Sequence, residues 1–111
     1  MVGYSSEPEQ SSDSIVELTK EAEKGYADAQ YHLGNCYFTG AGVEKDPEKA
    51  VSWYTKAAEQ GFAPAQNALG DCYAYGEGVE QDMVKAVSWF TKAAVEGIVD
   101  AQLMVGDYTA D

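Results

Sequence analysis

From Ala27 onward the apolar positions fall at helical spacing. Ala29, Leu33, Cys36 and Tyr37 share a side, and the pattern ends near Thr39. Gly40 and Gly42 break it. Asp46 followed by Pro47 then reads as an N-cap with proline in the first turn of a second helix. That helix carries Ala50, Trp53, Tyr54, Ala57 and Ala58 inward to about Gln60. Gly61 is placed to close it, as Gly25 and Gly97 are for its counterparts. The loops are short, so successive helices should be antiparallel. Their small alanine faces allow the backbones to approach closely.

The same pattern returns 36 residues later. Residues 25–60 and 61–96 are identical at 22 of 36 aligned positions, including the segments GxGVE and KAVSW. A third copy starts as GIVDAQLMVGDYTAD at Gly97, and SIVELTKEAEKG before Gly25 matches the tail of a preceding one. Self-similarity at a fixed period marks a solenoid, in which each unit buries its apolar face against the next. The expected organisation is a disordered lead-in over residues 1–10 and a repeat domain over residues 11–111. Within that domain, residues 11–24 form a partial helix and residues 25–60 and 61–96 are full repeats. Residues 97–111 supply the first helix of a truncated third repeat. The fold class is all-α, a solenoid of antiparallel helix pairs.

The pattern AxxxLGxxY, then GxGV, then KAVSW followed by Tyr54 or Phe90 and TKAA resembles the Sel-one-like repeat, a relative of the tetratricopeptide repeat. The resemblance runs from about Ser14 to Asp111. It implies a right-handed α-superhelix, an adaptor role in holding proteins together, and first helices lining the concave surface. Secreted members carry two cysteines per unit, linking its two helices. Here there is one per unit, Cys36 and Cys72, so those disulfides do not carry over. Equivalent positions on stacked helices lie roughly 8–10 Å apart, beyond the ~7 Å Cα separation a disulfide tolerates. Both cysteines are expected to be free, buried thiols.

Comparing the two copies separates structural positions from free ones. On the first helix Ala29, Gln30, Leu33, Gly34, Cys36 and Tyr37 are unchanged. The changed positions, Asp28, Tyr31, His32, Asn35, Phe38 and Thr39, occupy one sector of about 120°. The second helix is nearly invariant, including the aromatic pairs Trp53–Tyr54 and Trp89–Phe90, which read as packing between units. The variable stripe is the candidate protein- or peptide-binding face. It comprises Tyr31, His32, Asn35 and Thr39 in the first unit and Asn67, Asp71 and Tyr75 in the second. Leu103, Met104 and Asp107 are their counterparts in the third.

Composition narrows the function. Nineteen acidic residues against seven lysines and no arginine give a net charge of −12. That excludes the basic footprint of a nucleic-acid binder and a polybasic membrane surface. Every lysine lies in a second helix, its flanking loop or the leading partial helix. The first helices carry only acidic charge, at Asp28, Asp71, Asp100 and Asp107. A neutral or basic protein segment is therefore the expected partner, with binding that weakens as salt rises.

Chemistry is sparse. His32 is the only histidine and lacks the companions of a zinc site or a catalytic dyad. The GxGV loops follow helices and lack the lysine of a phosphate loop. The acidic runs lack calcium-loop spacing. The expectation is a non-catalytic scaffold with no cofactor and no metal. A self-associating module that uses an unpaired last helix, or a fragment of a longer array, is the alternative. The N-terminus has no signal-like apolar segment, and no apolar run approaches the ~20 residues of a membrane span. This reads as a cytoplasmic protein unless a signal was removed before the chain begins.

Overall fold

The computed structural model describes the backbone of residues 12–109 and the side chains of residues 14–97. The lead-in expected over residues 1–10 lies outside the described residues. Five α-helices follow one another: α1 (Ser12–Glu23), α2 (Ala27–Thr39), α3 (Pro47–Glu59), α4 (Ala63–Tyr75) and α5 (Met83–Thr109), with no strand among the described residues. Each helix packs chiefly on its neighbours in sequence. That connectivity is what a solenoid of helix pairs requires.

The local signals act as the sequence predicts. Asp46 caps α3 by accepting the Lys49 backbone N–H at 3.2 Å, and Asp82 does the same for Lys85 at 3.1 Å. Gly40 and Gly76 end α2 and α4 in the left-handed region, donating to the Cys36 and Cys72 carbonyls. Each loop then ties back to its own helix, through Asp46 N–H to the Tyr37 carbonyl at 2.7 Å and Asp82 N–H to the Tyr73 carbonyl at 2.9 Å. At Gly78 the requirement is double. Its φ is +76°, and a Cβ there would collide with the Pro47 carbonyl and meet the Val51 Cγ2 at 2.9 Å. The second unit's loop can sit on the start of α3 only because this residue has no side chain.

Alanine-rich faces form two packed clusters. Ala50, Val51, Tyr54, Ala57 and Ala58 of α3 meet Ala65, Leu69 and Cys72 of α4, with Trp89 packed alongside. Ala22 of α1 meets Ala29 and Leu33 of α2, with Trp53 alongside. Each tryptophan thus packs where its unit meets the preceding one, as its invariance implies. Close approach also explains the invariant glycines inside the first helices. A Cβ on Gly34 would lie 2.7 Å from Tyr54 Cδ1, and one on Gly70 would lie 2.7 Å from Phe90 Cε1.

One expectation fails. Gly25 (φ +102°) and Gly61 (φ +88°) turn the chain, but Gly97 does not; α5 runs straight through it to Thr109. A glycine permits a reversal without dictating one. At Gly25 the returning helix, α2, is gripped by α1 and α3, and at Gly61 α4 is gripped by α3 and α5. Gly97 lies within α5 and is not among the glycines with positive φ. The α5 helix carries on instead, at the propensity cost of about 1 kcal/mol for one glycine.

Candidate functional site

The first helices of the two full repeats lie side by side across α3, and a cleft of about 360 Å³ opens between them. Asn35 and Phe38 come from α2, and Ala68, Asp71, Cys72 and Tyr75 from α4. Tyr54 lies at the base and Glu77 follows in the loop. Three residues of the variable stripe, Asn35, Asp71 and Tyr75, are thereby brought to one place.

Their environments differ. Tyr75 is 74% exposed and Asp71 is exposed, whereas Asn35 is half-buried, its Oδ1 accepting the Tyr54 hydroxyl at 2.6 Å. In the second unit the corresponding residues are Asp71 and Phe90. The ring that would sit under Asp71 has no hydroxyl, so the pair substitutes Asp–Phe for Asn–Tyr and leaves a carboxylate free at the cleft. Glu77 adds a second acid, and no cation lines the cleft.

Burial pushes the Cys72 thiol up to about 11, with smaller contributions from Glu77 and Asp71. Burial raises Tyr54 as well. Both groups stay neutral near pH 7, so the cleft presents an aromatic, uncharged base with an acidic rim. Cys36 is also free, and burial raises its pKa. Neither thiol has the electropositive setting of a reactive cysteine.

The other stripe residues are not gathered in the cleft. Tyr31 is half-buried, its ring 5.9 Å from Tyr54 and 5.6 Å from Phe62 (centroid to centroid), so it joins the units as much as it faces outward. His32 is exposed with its ring 5.6 Å from Tyr31, and Asn67 is exposed on α4. Thr39 donates its hydroxyl to the Asn35 carbonyl at 2.9 Å. Leu103, Met104 and Asp107 fall on the extension of α5, because the chain does not reverse at Gly97. Their side chains lie outside the described residues. Among the described residues no three His, Cys, Asp or Glu side chains converge as a metal-binding group. No helix among them is long and apolar enough to cross a membrane.

Tyr54, Cys72 and Glu77 lay outside the variable sector, while Phe38 and Ala68 (the counterpart of His32) lay within it but were not among the predicted binding residues. Tyr54 and Cys72 read as core, which they are, while also forming the cleft's base. The linked change from Asn35–Tyr54 to Asp71–Phe90 was the available signal. The lysines take a different role. Lys49 lies over Tyr37 and Lys85 over Tyr73, with Nζ 5.2 and 5.4 Å from the ring centroids. Lys56 and Lys92 lie over Trp53 and Trp89 at 5.8 and 5.1 Å. Among the described residues the ion pairs are Lys20–Glu17 and Lys24–Glu21, both on the rim of α1.

The comparisons with known proteins agree with this architecture. A Sel1 repeat protein from Oxalobacter formigenes is 42% identical with a TM-score of 0.76, over 77% of this chain and 65% of that one. A protective antigen of uropathogenic Escherichia coli strains displaying an SLR fold is 46% identical with a TM-score of 0.72, over 79% of this chain and 19% of that one. The cysteine-rich protein B of Helicobacter pylori is 30% identical with a TM-score of 0.74, over 77% and 64%. The chain thus spans less than two thirds of the length of each. The Sel1 repeat pattern itself matches residues 27–62 and 63–97, the two helix pairs described above, and the chain belongs to the Sel1 repeat family.

Proposed function

We propose that this chain is a non-catalytic adaptor that holds a neutral or basic protein segment against its first-helix face, at the cleft between α2 and α4. Sel1-repeat proteins act as protein-interaction scaffolds. The observation that carries the finer reading is the composition of the cleft. Exposed Tyr75 offers a ring, Asp71 and Glu77 offer carboxylates without a competing cation, and Tyr54 and Phe38 give an apolar base. An extended segment with a basic and an apolar side chain matches that arrangement.

The test is affinity capture with the full chain, compared with the triple variant Asp71→Asn, Tyr75→Ala, Glu77→Gln. These side chains are exposed, so helicity and melting should stay unchanged while capture is lost and its salt dependence disappears. Equal capture by the variant would overturn the site assignment.

A second reading rests on one contrast. Val51 on α3 is 7% exposed beneath the loop of the following unit, whereas Val87, its counterpart on α5, is 57% exposed and Val84 beside it 80%. This face is built to take a further unit, from another copy or from a longer array. Sedimentation distinguishes the readings, since a monomer at high concentration counts against self-association.

A further inference from the structure

The turns between units are each held by a buried glutamine, and the two turns differ in the partner of one atom. At the first turn Gln30 Nε2 donates to the Ala22 carbonyl at 3.1 Å, and Gln30 Oε1 accepts from Gln60 Nε2 at 2.9 Å. The same Gln60 amide donates to the Gly25 carbonyl at 2.9 Å. At the second turn Gln66, 3% exposed, repeats the first bond, donating from Nε2 to the Ala58 carbonyl at 3.0 Å. That bond fixes its orientation, because a flipped amide would set oxygen against oxygen. Gln66 Oε1, however, has no hydrogen-bond partner, and it is the one such buried side-chain atom among the described residues.

The cause is a single residue. The position 36 after Gln60 is Glu96, and a carboxylate has no N–H to give. It lies over the glycine of the turn, its oxygens 3.6 and 3.7 Å from where a Gly61 Cβ would stand. Gln66, Gly61 and Glu96 line one cleft of about 470 Å³, together with Glu59, Trp89 and Lys92. It shares no residue with the cleft between α2 and α4. Lys92, the cation there, has its Nζ over the Trp89 ring. The cleft thus brings together a glutamine with an unpaired buried acceptor and a carboxylate at the position equivalent to Gln60. Leaving such an acceptor without a donor is costly.

We propose that this cleft binds a primary ammonium group, the end of a lysine side chain of a partner protein, which donates to Gln66 Oε1 and to the Glu96 carboxylate. The ammonium supplies the donors that Gln60 supplies at the first turn, with its charge balanced by Glu96.

The test titrates the full chain with N-acetyl-lysine N-methylamide, following the Gln66 side-chain amide and the Gly61 backbone amide by NMR. Tetramethylammonium serves as the control, having the same charge and no donor. The lysine derivative should produce a saturable shift at both groups and the control none. Glu96→Gln recreates the first turn and closes the cleft from within, so its affinity should be at least roughly tenfold weaker. Gln60→Glu should open a matching site that reports at Gln30. Gln66 unmoved by the lysine derivative, an equal response to tetramethylammonium, or a Glu96→Gln variant that binds as wild type would each overturn the proposal.

Discussion

Replacing Gly70 by alanine should destabilise this protein, although the same change in an open helix stabilises. A Cβ on Gly70 would lie 2.7 Å from Phe90 Cε1 and 2.8 Å from Cδ1. Carbon atoms rest at about 3.5–4.0 Å, so the overlap is roughly 1 Å against an aromatic ring. Displacing that ring costs about 1–3 kcal/mol, while alanine returns about 1 kcal/mol of helix propensity. The net expectation is a loss of up to about 2 kcal/mol, with melting lowered by about 4–8 °C per kcal/mol in a domain of this size. Gly97 provides the internal control. It is helical, and a Cβ there would meet nothing within 4 Å, so Gly97→Ala should raise the helicity of α5 with a gain of up to about 1 kcal/mol. Urea and thermal melts followed by circular dichroism measure both. A Gly70→Ala variant no less stable than wild type would refute the steric account, and so would two variants that shift in the same direction.

Two further outcomes follow from burial. Cys72 is raised to about 11 by burial from an ordinary value near 9, so it stays protonated in the folded chain after the unfolded chain has ionised. Its contribution is complete below pH 9 and is lost between pH 9 and about 11, an order-of-magnitude loss of about 2–3 kcal/mol. Tyr54, also raised, adds in the same direction above pH 10. Alkaline melts should show this slope, and Cys72→Ala should flatten it. Separately, Val51→Ala should cost about 2 kcal/mol, while Val87→Ala at the equivalent exposed position should stay within about 0.5 kcal/mol. Equal losses from the two would mean that α5 is covered in solution as α3 is, and would favour the self-associating reading.

Most of the architecture was legible because each local signal repeated. The Asp46 and Asp82 caps, the glycines at 40 and 76, and the alanine faces of α3 each occur twice with the same consequence. The failure at Gly97 shows where that logic stops, since a glycine permits a turn without dictating one. The cleft was legible in part. Variation marked Asn35, Asp71 and Tyr75, but the invariance of Cys72 and the conserved aromatic register of Tyr54 and Phe90 placed them in the core and hid their second role. Tyr31 varied for a packing reason, because Phe62 and Tyr54 take up its ring. The glutamine pair was the least accessible. Gln30 and Gln66 are identical, and only their distance from Gln60 and Glu96 in space shows that one is satisfied and the other is not.

The position of the two tryptophans makes the order of unzipping readable by light. Trp53 packs on the cluster formed by α1 and α2, and Trp89 on the cluster formed by α3 and α4. Each indole therefore fluoresces from a different junction of a one-dimensional stack. With either one changed to phenylalanine, the emission of the other follows its own junction. An array that melts from one end would separate the two signals, and a cooperative block would superimpose them.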